Sequence, residues 1–505
     1  MKGGFLNMQS LKKIMVKKQE KETKKTDKKE IGITAEKDDF SEWFTQLMLK
    51  ADLADYTKVS GCMVFKPVAY AMWEKIKEEC DKKFKKLGIK NVYFPLLIPE
   101  SLLIKEKEHV KGFVPEVAWV TQAGDSKLNE RLAIRPTSET IMYDSYAKWI
   151  RSWRDLPLKY NQWNNVIRWE FKHPVPFMRT REFLWNEGHT VFATEEEALA
   201  EEKPVLNAYK EVCENLMALY GEPGLKTKKE TFAGAVFSRK LHYIMPNGKA
   251  IEGPPFHHDG QNFAKAYGIK FLDKDGKEKY AWQNTWAITT RMLGVMFSIH
   301  SDDKGLILPP RIAPNKVVII PILMTDSKEK VLKKAKELFK DLENLNLEPI
   351  LDDREEYKPG YKFNEYELKG IPLRIEIGPK DLEKNQVIIT RRDTGEKQTL
   401  AIKDIAKQIP KLLDNIHNSM FEKSKKLYKS KLASANSLEQ LKKVIANKQL
   451  GKVPMCKNPE CEEMLKYETQ GAKAIFIAEN EKVKNEKCII CNKKAGYFVY
   501  AGKSY

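Results

Sequence analysis

The segment VIRWEFKHPVPFMRTREFLWNEGHT, residues 166–190, restricts the fold more than any other part of the sequence. In its first half, Arg168 and Glu170 alternate with apolar residues, so a strand here would place both charges on one side. The second half carries further arginines and carboxylates between large aromatic residues. We predict two antiparallel strands joined by a turn near His173, with these charges on a shared face. The Trp and Phe residues between the charges argue against the alternative that this face is only a charged surface in contact with solvent.

The chain has 505 residues, which predicts about three domains at roughly 150 residues each. Lys and Arg total 89 against 70 Asp and Glu, and such an excess favours a polyanionic partner, first of all nucleic acid. Surface lysines that serve only solubility are an equally good explanation from composition alone. The sequence contains no uncharged apolar run of about 18 residues that could cross a bilayer, so no membrane partner is expected.

The first 38 residues carry 11 Lys, 6 acidic residues and no Arg. We interpret residues 1–38 as a disordered, solvated arm that contacts nucleic acid non-specifically. The arm lacks the apolar stretch of a secretory signal, and a mitochondrial leader would be rich in Arg and poor in acids. We therefore expect a cytoplasmic protein.

The character of the sequence changes near residue 315. A β-branched run starts at Val317, and after it come the helically spaced KEKVLKKAKELFKDLENLNL and then EPILDD, which predicts a small α/β domain extending to about Pro410. The prolines of LILPPRIAP predict a stiff linker before this domain. We assign residues 39–310 to the first folded domain, 311–410 to the α/β domain and 411–505 to a C-terminal domain.

Four of the seven cysteines lie in the last 50 residues as two close pairs: Cys456, Cys461, Cys488 and Cys491. Four thiolates at such spacing are the expected ligands of a closed, tetrahedral zinc site. A disulfide pairing is less favoured, because nothing in the sequence indicates an oxidising compartment.

The segment RPTSET, residues 135–140, stands just before a helical pattern and has two interpretations. In the first, Thr137 or Ser138 caps the helix and Glu139 lies near its positive end. In the second, these polar residues form part of a functional site. The sequence alone leaves both open.

Taken together, these segments resemble class II aminoacyl-tRNA synthetases, specifically the prolyl-tRNA synthetases of archaeal and eukaryotic type. Residues 166–190 are similar to motif 2 of that family, GCMVFKPVAYAMWEKI with NVYFPLLIPES to motif 1, and WQNTWAITTRMLGVM to motif 3. The resemblance covers about residues 35–505. It implies an α+β fold: a class II catalytic domain built on an antiparallel sheet, an α/β anticodon-binding domain and a small C-terminal α/β domain with structural zinc. It also implies a homodimer that uses motif 1.

The resemblance implies activation of L-proline with ATP and Mg²⁺ to prolyl-adenylate, then transfer to the 3′ end of the proline tRNA. Rigid arginines suit this chemistry, because carboxylate and phosphate must be held together while negative charge builds up. In this family Arg168 would bridge the proline carboxylate and the α-phosphate, and Glu170 would hold the adenine amino group. The remaining contacts to ATP would come from Arg179, Thr180, Thr289 and Arg291.

The family resemblance also identifies candidate residues for the proline pocket: Thr137, Glu139, Trp185, Glu187, His189 and His257. Only about 100 residues separate His189 from Arg291, which leaves no room for the large editing domain that bacterial relatives insert there. We therefore expect no editing domain in this chain.

The segment KAIEGPPFHHDGQNF, residues 249–263, departs from the family pattern. Glu252 replaces a Gln that touches ATP and its metal, and Pro255 replaces a Thr; we still assign ATP and Mg²⁺ binding to Glu252. This departure motivates one alternative, a synthetase of altered amino-acid specificity. A second alternative, a silent tRNA-binding paralogue, should have lost the motif arginines, yet Arg168, Arg179 and Arg291 are all present.

Residues 351–397 resemble the anticodon-binding domain of this family. Charged side chains can read splayed, single-stranded bases, and the candidates for tRNA contact are Arg354, Lys369, Arg391 and Arg392. Each of them is equally well explained as an ordinary surface charge. The chain ends in Tyr505, and in some relatives a terminal tyrosine reaches toward the active site.

Overall fold

The computed structural model describes residues 32–109, 116–170 and 174–505. Residues 1–31 of the predicted Lys-rich arm lie outside these ranges, and so does His173 of the predicted turn. Within the described ranges, no helix is both long and apolar enough to span a membrane.

The largest sheet joins the first folded domain to the end of the chain. Among the described residues it has eleven strands, in the spatial order Leu432–Ser434, Leu450–Met455, Tyr497–Gly502, Lys473–Ile477, Glu222–Leu225, Phe237–Ile244, Ala250–Gly260, Trp282–Thr289, Glu182–Phe192, Leu158–Ile167 and Lys90–Asn91. The five strands from Phe237–Ile244 to Leu158–Ile167 are consecutively antiparallel. This part of the sheet carries the candidate site.

The predicted hairpin is present, with Leu158 opposite Val191 and Ile167 opposite Glu182. The prediction is wrong in one detail, because the first strand ends at Ile167. Arg168 and Glu170 follow the strand instead of alternating within it. The Arg168 N–H still donates across the hairpin to Arg181 O (2.8 Å), but the next N–H, that of Trp169, donates to Glu116 O (2.9 Å), outside the hairpin.

Helices cover the opposite face of this sheet and flank its edges. The helices of the first domain are Phe40–Lys50, Pro67–Lys86, Glu100–His109, Glu139–Trp149, Glu195–Ala200, Glu202–Met217, Asn262–Tyr267 and Arg291–His300. Small sheets pair Ala54–Tyr56 with Met63–Phe65, Lys270–Leu272 with Glu278–Tyr280, and Ser126–Ile134 with Leu97–Pro99 and Trp119–Ala123. The core between sheet and helices contains Trp43, Trp73, Phe84, Phe256 and Trp286.

The predicted strand, helix and strand of the second domain are confirmed as Val317–Pro321, Lys328–Glu343 and Ile350–Leu351. Leu373–Ile377, Gln386–Arg391 and Lys397–Ala401 complete this sheet, and Val317–Pro321 runs parallel to both of its neighbours. Helices Pro359–Leu368 and Pro379–Glu383 belong to the same domain. Its core includes Val317, Leu338, Ile375 and Ile389.

A long helix, Ile405–Ser430, leads from the second domain to the C-terminal part. It runs through residue 410, so the boundary assigned there falls inside a continuous helix. The C-terminal part adds helices Leu438–Ala446 and Pro459–Glu468. Its strands extend the large sheet, because Ile477 pairs with Leu225. The end of the chain is therefore tied to the sheet that holds the candidate site.

Candidate active site

A cavity of ≈ 290 Å³ opens on the antiparallel sheet and collects almost every residue that the sequence assigns to substrate binding. The predicted residues that line it are Thr137, Glu139, Arg168, Arg179, Thr180, Trp185, Glu187, His189, Glu252, His257, Thr289 and Arg291. Glu170 does not line this cavity; it is exposed at the tip of the hairpin. The predicted contact between Glu170 and adenine stays a prediction.

Arg179 and Arg291 lie at one end of the cavity, and Arg168 links this end to the Pro136–Thr137 segment. Arg168 follows the hairpin strand, and its Nε donates to Pro136 O (2.9 Å). The rings of Phe183 and Trp185 lie 5.5 and 5.3 Å from its guanidinium, which fixes the plane of that group. Arg291 begins its helix, and its Nε donates to Met178 O (3.1 Å).

These arginines are close enough for their charges to affect the pKa of Arg291. Burial lowers the pKa of Arg291, the nearby Glu252 opposes that shift, and Arg179 and Arg168 lower the pKa further. Positive charge is therefore concentrated at this end, where a polyphosphate would relieve the repulsion.

Two of the three cavity carboxylates, Glu139 and Glu187, occupy the other end, and Glu187 is the centre of a hydrogen-bond network there. Its Oε1 accepts from Ser138 Oγ (2.5 Å), Asn164 Nδ2 (2.7 Å) and Gln162 Nε2 (2.9 Å). Its Oε2 accepts from the Ser138 N–H (3.0 Å) and lies 3.1 Å from His189 Nε2. Glu187 and His189 are both buried.

This network fixes the charges of its members. Burial alone would raise the pKa of Glu187, but the hydrogen bonds and charge of His189 and the donors Ser138 and Asn164 lower it to about 2. For His189, burial acts to lower the pKa, and the carboxylates of Glu187 and Glu139 outweigh it and raise the value. The pair therefore presents a fixed negative carboxylate beside an imidazole with increased affinity for a proton.

The structure decides between the two interpretations of RPTSET. The helix begins at Glu139, yet the Ser138 side chain makes no capping bond and donates to Glu187 instead. Thr137 Oγ1 donates to the Glu139 carboxylate. Thr137 and Glu139 line the cavity, and Ser138 is buried. The capping bond predicted for Thr137 or Ser138 is therefore wrong, whereas Glu139 does lie in the first turn of the helix, near its positive end.

His257 completes the pocket together with Phe232 and Lys240, which were not predicted from the sequence. The His257 Nδ1 lies 2.6 Å from Ser238 Oγ, and the Phe232 ring packs against the imidazole with a centroid distance of 4.7 Å. Burial and the positive charge of Lys240 lower the pKa of His257 to about 3, so the ring is neutral at pH 7. The sequence signal for Lys240 is only that it follows another basic residue, Arg239.

The floor of the cavity depends on the absence of a side chain at Gly188. A Cβ there would lie 2.2 Å from a ring carbon of Trp286, which faces it across the strands. This close approach requires glycine, because real Cβ atoms do not come so near to ring carbons.

Models of known families match three consecutive parts of the chain. They are the class II core domain of the tRNA synthetases for G, H, P, S and T (residues 119–300), an anticodon-binding domain (316–412) and the prolyl-tRNA synthetase C-terminal domain (438–505). The chain is 47% identical over 475 residues to proline–tRNA ligase 2 of Bacillus cereus, and the match covers 94% of this chain and 98% of that protein. The chain belongs to the prolyl-tRNA synthetase family.

Other relatives agree with this assignment. Proline–tRNA ligase of Clostridium botulinum is 46% identical over 474 residues, at 94% and 98% coverage. The chain also resembles the crystal structure of the Cryptosporidium parvum prolyl-tRNA synthetase complexed with halofuginone and AMPPNP. The two sequences are 41% identical, and the TM-score between the two structures is 0.91. The similarity covers 94% of this chain and all of that one. The predicted α+β fold, with its class II core, anticodon-binding and C-terminal domains, is confirmed.

The chain between the hairpin and motif 3 is the place where an editing domain would be inserted, and the expected absence of such a domain stays a prediction. All residues from 193 to 290 are described, and their helices and the strands Glu222–Leu225, Phe237–Ile244 and Ala250–Gly260 belong to the large sheet and its layers.

Glu252 does not fit the Mg²⁺ ligand predicted from the resemblance. Its Oε1 accepts from Lys226 Nζ (2.8 Å) and its Oε2 from Lys240 Nζ (2.7 Å). Magnesium needs oxygen ligands at about 2.0–2.1 Å in an octahedral arrangement. A metal bound through either Glu252 oxygen would compete with the ammonium group that already binds that oxygen.

The four C-terminal cysteines fit a zinc ion. Their sulfur atoms lie within 4.8 Å of one another, and Cys456 Sγ is 3.4 Å from Cys461 Sγ and 3.7 Å from Cys491 Sγ. Zn–S bonds of about 2.3 Å place tetrahedral sulfurs about 3.8 Å apart, close to these distances. All four are free cysteines, so no disulfide competes with the metal.

The predicted tRNA-binding residues have different environments. Arg354 pairs with Asp352 and Glu365, Lys369 pairs with Glu365, and Arg391 pairs with Asp393, and the first two still reach solvent. The Arg392 side chain is only 5% exposed and binds Asp302 through both terminal nitrogens, at 2.9 and 2.6 Å. This burial does not fit the predicted tRNA contact. Arg392 instead connects the anticodon-binding domain to the catalytic domain.

The last residue lies beside the site. The Tyr505 N–H donates to Ala250 O (3.1 Å), at the start of the strand that carries Glu252 and His257. Burial raises the pKa of Tyr505 and the nearby positive charge of Arg179 opposes the rise, which shows that the two groups are close.

Proposed function

We propose that this chain is a proline–tRNA ligase that activates L-proline with ATP and transfers the prolyl group to the 3′ end of the proline tRNA. The observation that carries the proposal is the division of one cavity into an arginine end and a carboxylate end. Proline is small and has one anionic and one cationic group, and ATP is strongly anionic. A cavity with this charge pattern holds both in one orientation.

The arginine end would bring the two anions together. Arg168, between the two ends, would bind the proline carboxylate and the α-phosphate, while Arg179, Thr180, Thr289 and Arg291 hold the rest of ATP. The carboxylate oxygen then attacks the α-phosphorus and pyrophosphate leaves. The preformed arginines stabilise the charge that develops on the phosphate oxygens without first having to reorganise.

The carboxylate end would select the amino acid. Glu139 and Glu187 provide negative charge for the secondary ammonium group, and Thr137, His189 and neutral His257 provide polar contacts. Trp185 and Phe232 provide an apolar wall for the ring. Alanine is smaller than proline, and one methylene changes binding by only about 1–3 kcal/mol, so we expect some activation of alanine.

Several finer assignments are part of the same proposal. A homodimer through motif 1 is supported by exposed apolar side chains concentrated in this region, namely Tyr56, Val59, Val64, Tyr70, Tyr93, Leu96 and Leu97. Similarity to the Cryptosporidium parvum protein over its whole length supports the archaeal and eukaryotic type, while the Bacillus and Clostridium relatives leave that subtype open. Domain boundaries near residues 38, 310 and 410 and a cytoplasmic location remain predictions.

The other parts of the chain would support the reaction. ATP would bring Mg²⁺ bound to its own phosphates, and structural zinc would hold the C-terminal domain through its four cysteines. Arg354, Lys369 and Arg391 would contact the tRNA. Among the comparisons, nothing favours altered specificity or a silent paralogue.

ATP–pyrophosphate exchange with each of the twenty amino acids tests the proposal. We expect strong exchange with proline and weak exchange with alanine. Exchange with a different amino acid and none with proline would contradict the assignment of substrate. The absence of exchange with every amino acid would contradict the enzymatic function itself.

A further inference from the structure

A pair of lysines binds Glu252, the cavity residue at which a divalent metal was predicted. Glu252 lines the cavity with about a third of its side chain (35%) exposed, and each of its oxygens is bound by one ammonium group. The two lysines come from different parts of the sheet, since Lys226 follows strand Glu222–Leu225 and Lys240 lies within Phe237–Ile244. The folding of the sheet therefore brings the two lysines together at Glu252.

The two lysines are not equivalent. The Lys226 side chain is 2% exposed, and besides Glu252 its Nζ also binds Ile475 O (2.6 Å) in the C-terminal part, so it is fixed in place. Lys240 lines the cavity, and its hydrogen bond to Glu252 uses one of the three N–H donors of the ammonium group. Lys240 is the member of the pair that can bind a substrate.

The surrounding charges favour an anion at this position and oppose a metal ion. Glu252 is close enough to Arg291 to affect its ionisation, and Arg291 lines the same cavity. A Mg²⁺ ion at Glu252 would meet the positive charges of Arg291, Lys226 and Lys240 at short range. A phosphate oxygen would meet three cations and a single carboxylate that is already neutralised by two of them.

We propose that the Lys240 ammonium, held by Glu252, binds a phosphate oxygen of ATP in place of a Mg²⁺ ion on Glu252. The inference rests on the proposed function, because ATP is the substrate. The enzyme then requires only the Mg²⁺ that ATP itself carries. Glu252 acts as a positioning residue that directs Lys240, and Lys226 holds Glu252 from the opposite side.

The first test measures binding without metal or amino acid. Isothermal titration calorimetry with AMPPNP in excess EDTA compares the full-length protein with Lys240→Met. Loss of one charge-assisted hydrogen bond predicts about tenfold weaker binding or more. Lys270→Met is the matched control, because Lys270 makes an equally short ion pair with Glu278 (2.7 Å) outside the cavity. It should bind AMPPNP as the unchanged protein does.

The second test measures proline-dependent exchange while Mg²⁺ is raised from equimolar with ATP to a large excess. The unchanged protein should reach its full rate once ATP is saturated with metal. Lys240→Met frees one oxygen of Glu252, so excess Mg²⁺ should restore part of its lost rate. Lys240→Arg keeps a positive donor and should lose less affinity than Lys240→Met, which separates loss of the charge from misfolding.

Two results would overturn the inference. The first is that Lys240→Met and the unchanged protein bind AMPPNP with equal affinity in EDTA. The second is that the unchanged protein reaches its full exchange rate only with Mg²⁺ in excess over ATP. The calorimetry contains no amino acid, so it decides the role of Lys240 even if proline is not the substrate. Binding through Lys240 without proline exchange would refute the proposed function and leave this inference intact.

Discussion

Replacement of Glu187 by Gln should destabilise the catalytic domain, because Glu187 is the centre of the buried network at the amino-acid end. The Gln side chain keeps the shape but loses the charge, and its amide NH₂ faces donors from Ser138, Asn164 and His189. The pKa of Glu187 is lowered from 4.5 to about 2, and each unit corresponds to about 1.4 kcal/mol, so the charged form contributes about 3 kcal/mol. We expect a loss of about 2–4 kcal/mol at pH 7.

The sign of the pH dependence follows from the direction of each shift. The pKa of Glu187 is lowered, so its contribution is present above pH 4.5 and is lost as the pH falls toward 2. The pKa of His189 is raised above 6.5, so its contribution is complete below pH 6.5 and is lost as the pH rises through the folded value. The stability difference between Glu187→Gln and the unchanged protein should therefore be largest between about pH 4.5 and about pH 6.5.

Urea unfolding followed by tryptophan fluorescence measures this effect, since all ten Trp residues lie between residues 43 and 286 and report the catalytic domain. Glu278→Gln is the matched control: an exposed carboxylate with one lysine partner, worth less than about 1 kcal/mol. A Glu187→Gln variant that unfolds within about 0.5 kcal/mol of the unchanged protein at pH 6 would refute the account of this network.

Three further changes test other parts of the molecule. Cys461→Ser should reduce bound zinc, measured by elemental analysis of the purified protein, from one equivalent to a small fraction; a retained equivalent would contradict the four-cysteine site. Arg392→Ala should lower stability by about 1–2 kcal/mol, because Asp302 loses its partner, while tRNA affinity changes little; a large loss of tRNA affinity in filter binding at unchanged stability would restore Arg392 as a tRNA contact. Deletion of Tyr505 should slow proline-dependent exchange, and an unchanged rate would exclude a role for the terminal residue near Arg179.

The sequence predicted the site residues better than their local geometry. The hairpin, the four clustered cysteines and about half of the residues that line the cavity could be located, because each belongs to a short motif with characteristic residue types. The end of the first hairpin strand at Ile167 could not, since Arg168 and Glu170 continue the alternation in sequence while the backbone turns toward Glu116. Periodicity alone does not report where a backbone leaves its sheet.

Long-range ion pairs were the second limit of prediction. Arg392 and Asp302 are 90 residues apart, and Lys226 and Glu252 are 26 residues apart, with Lys226 just after one strand and Glu252 within another. Nothing local in the sequence distinguishes these lysines and arginines from surface charges. Their roles follow only from the way the sheet and the domains bring them together.

The most direct test of the central claim is proline-dependent ATP–pyrophosphate exchange by Arg168→Ala. Arg168 binds Pro136 O beside Thr137 and lines the same cavity as Arg291, so its loss should abolish exchange while the far-UV circular dichroism and tRNA binding stay unchanged. Exchange by the folded variant at a rate near that of the unchanged protein would contradict the assignment of this cavity as the site of proline activation.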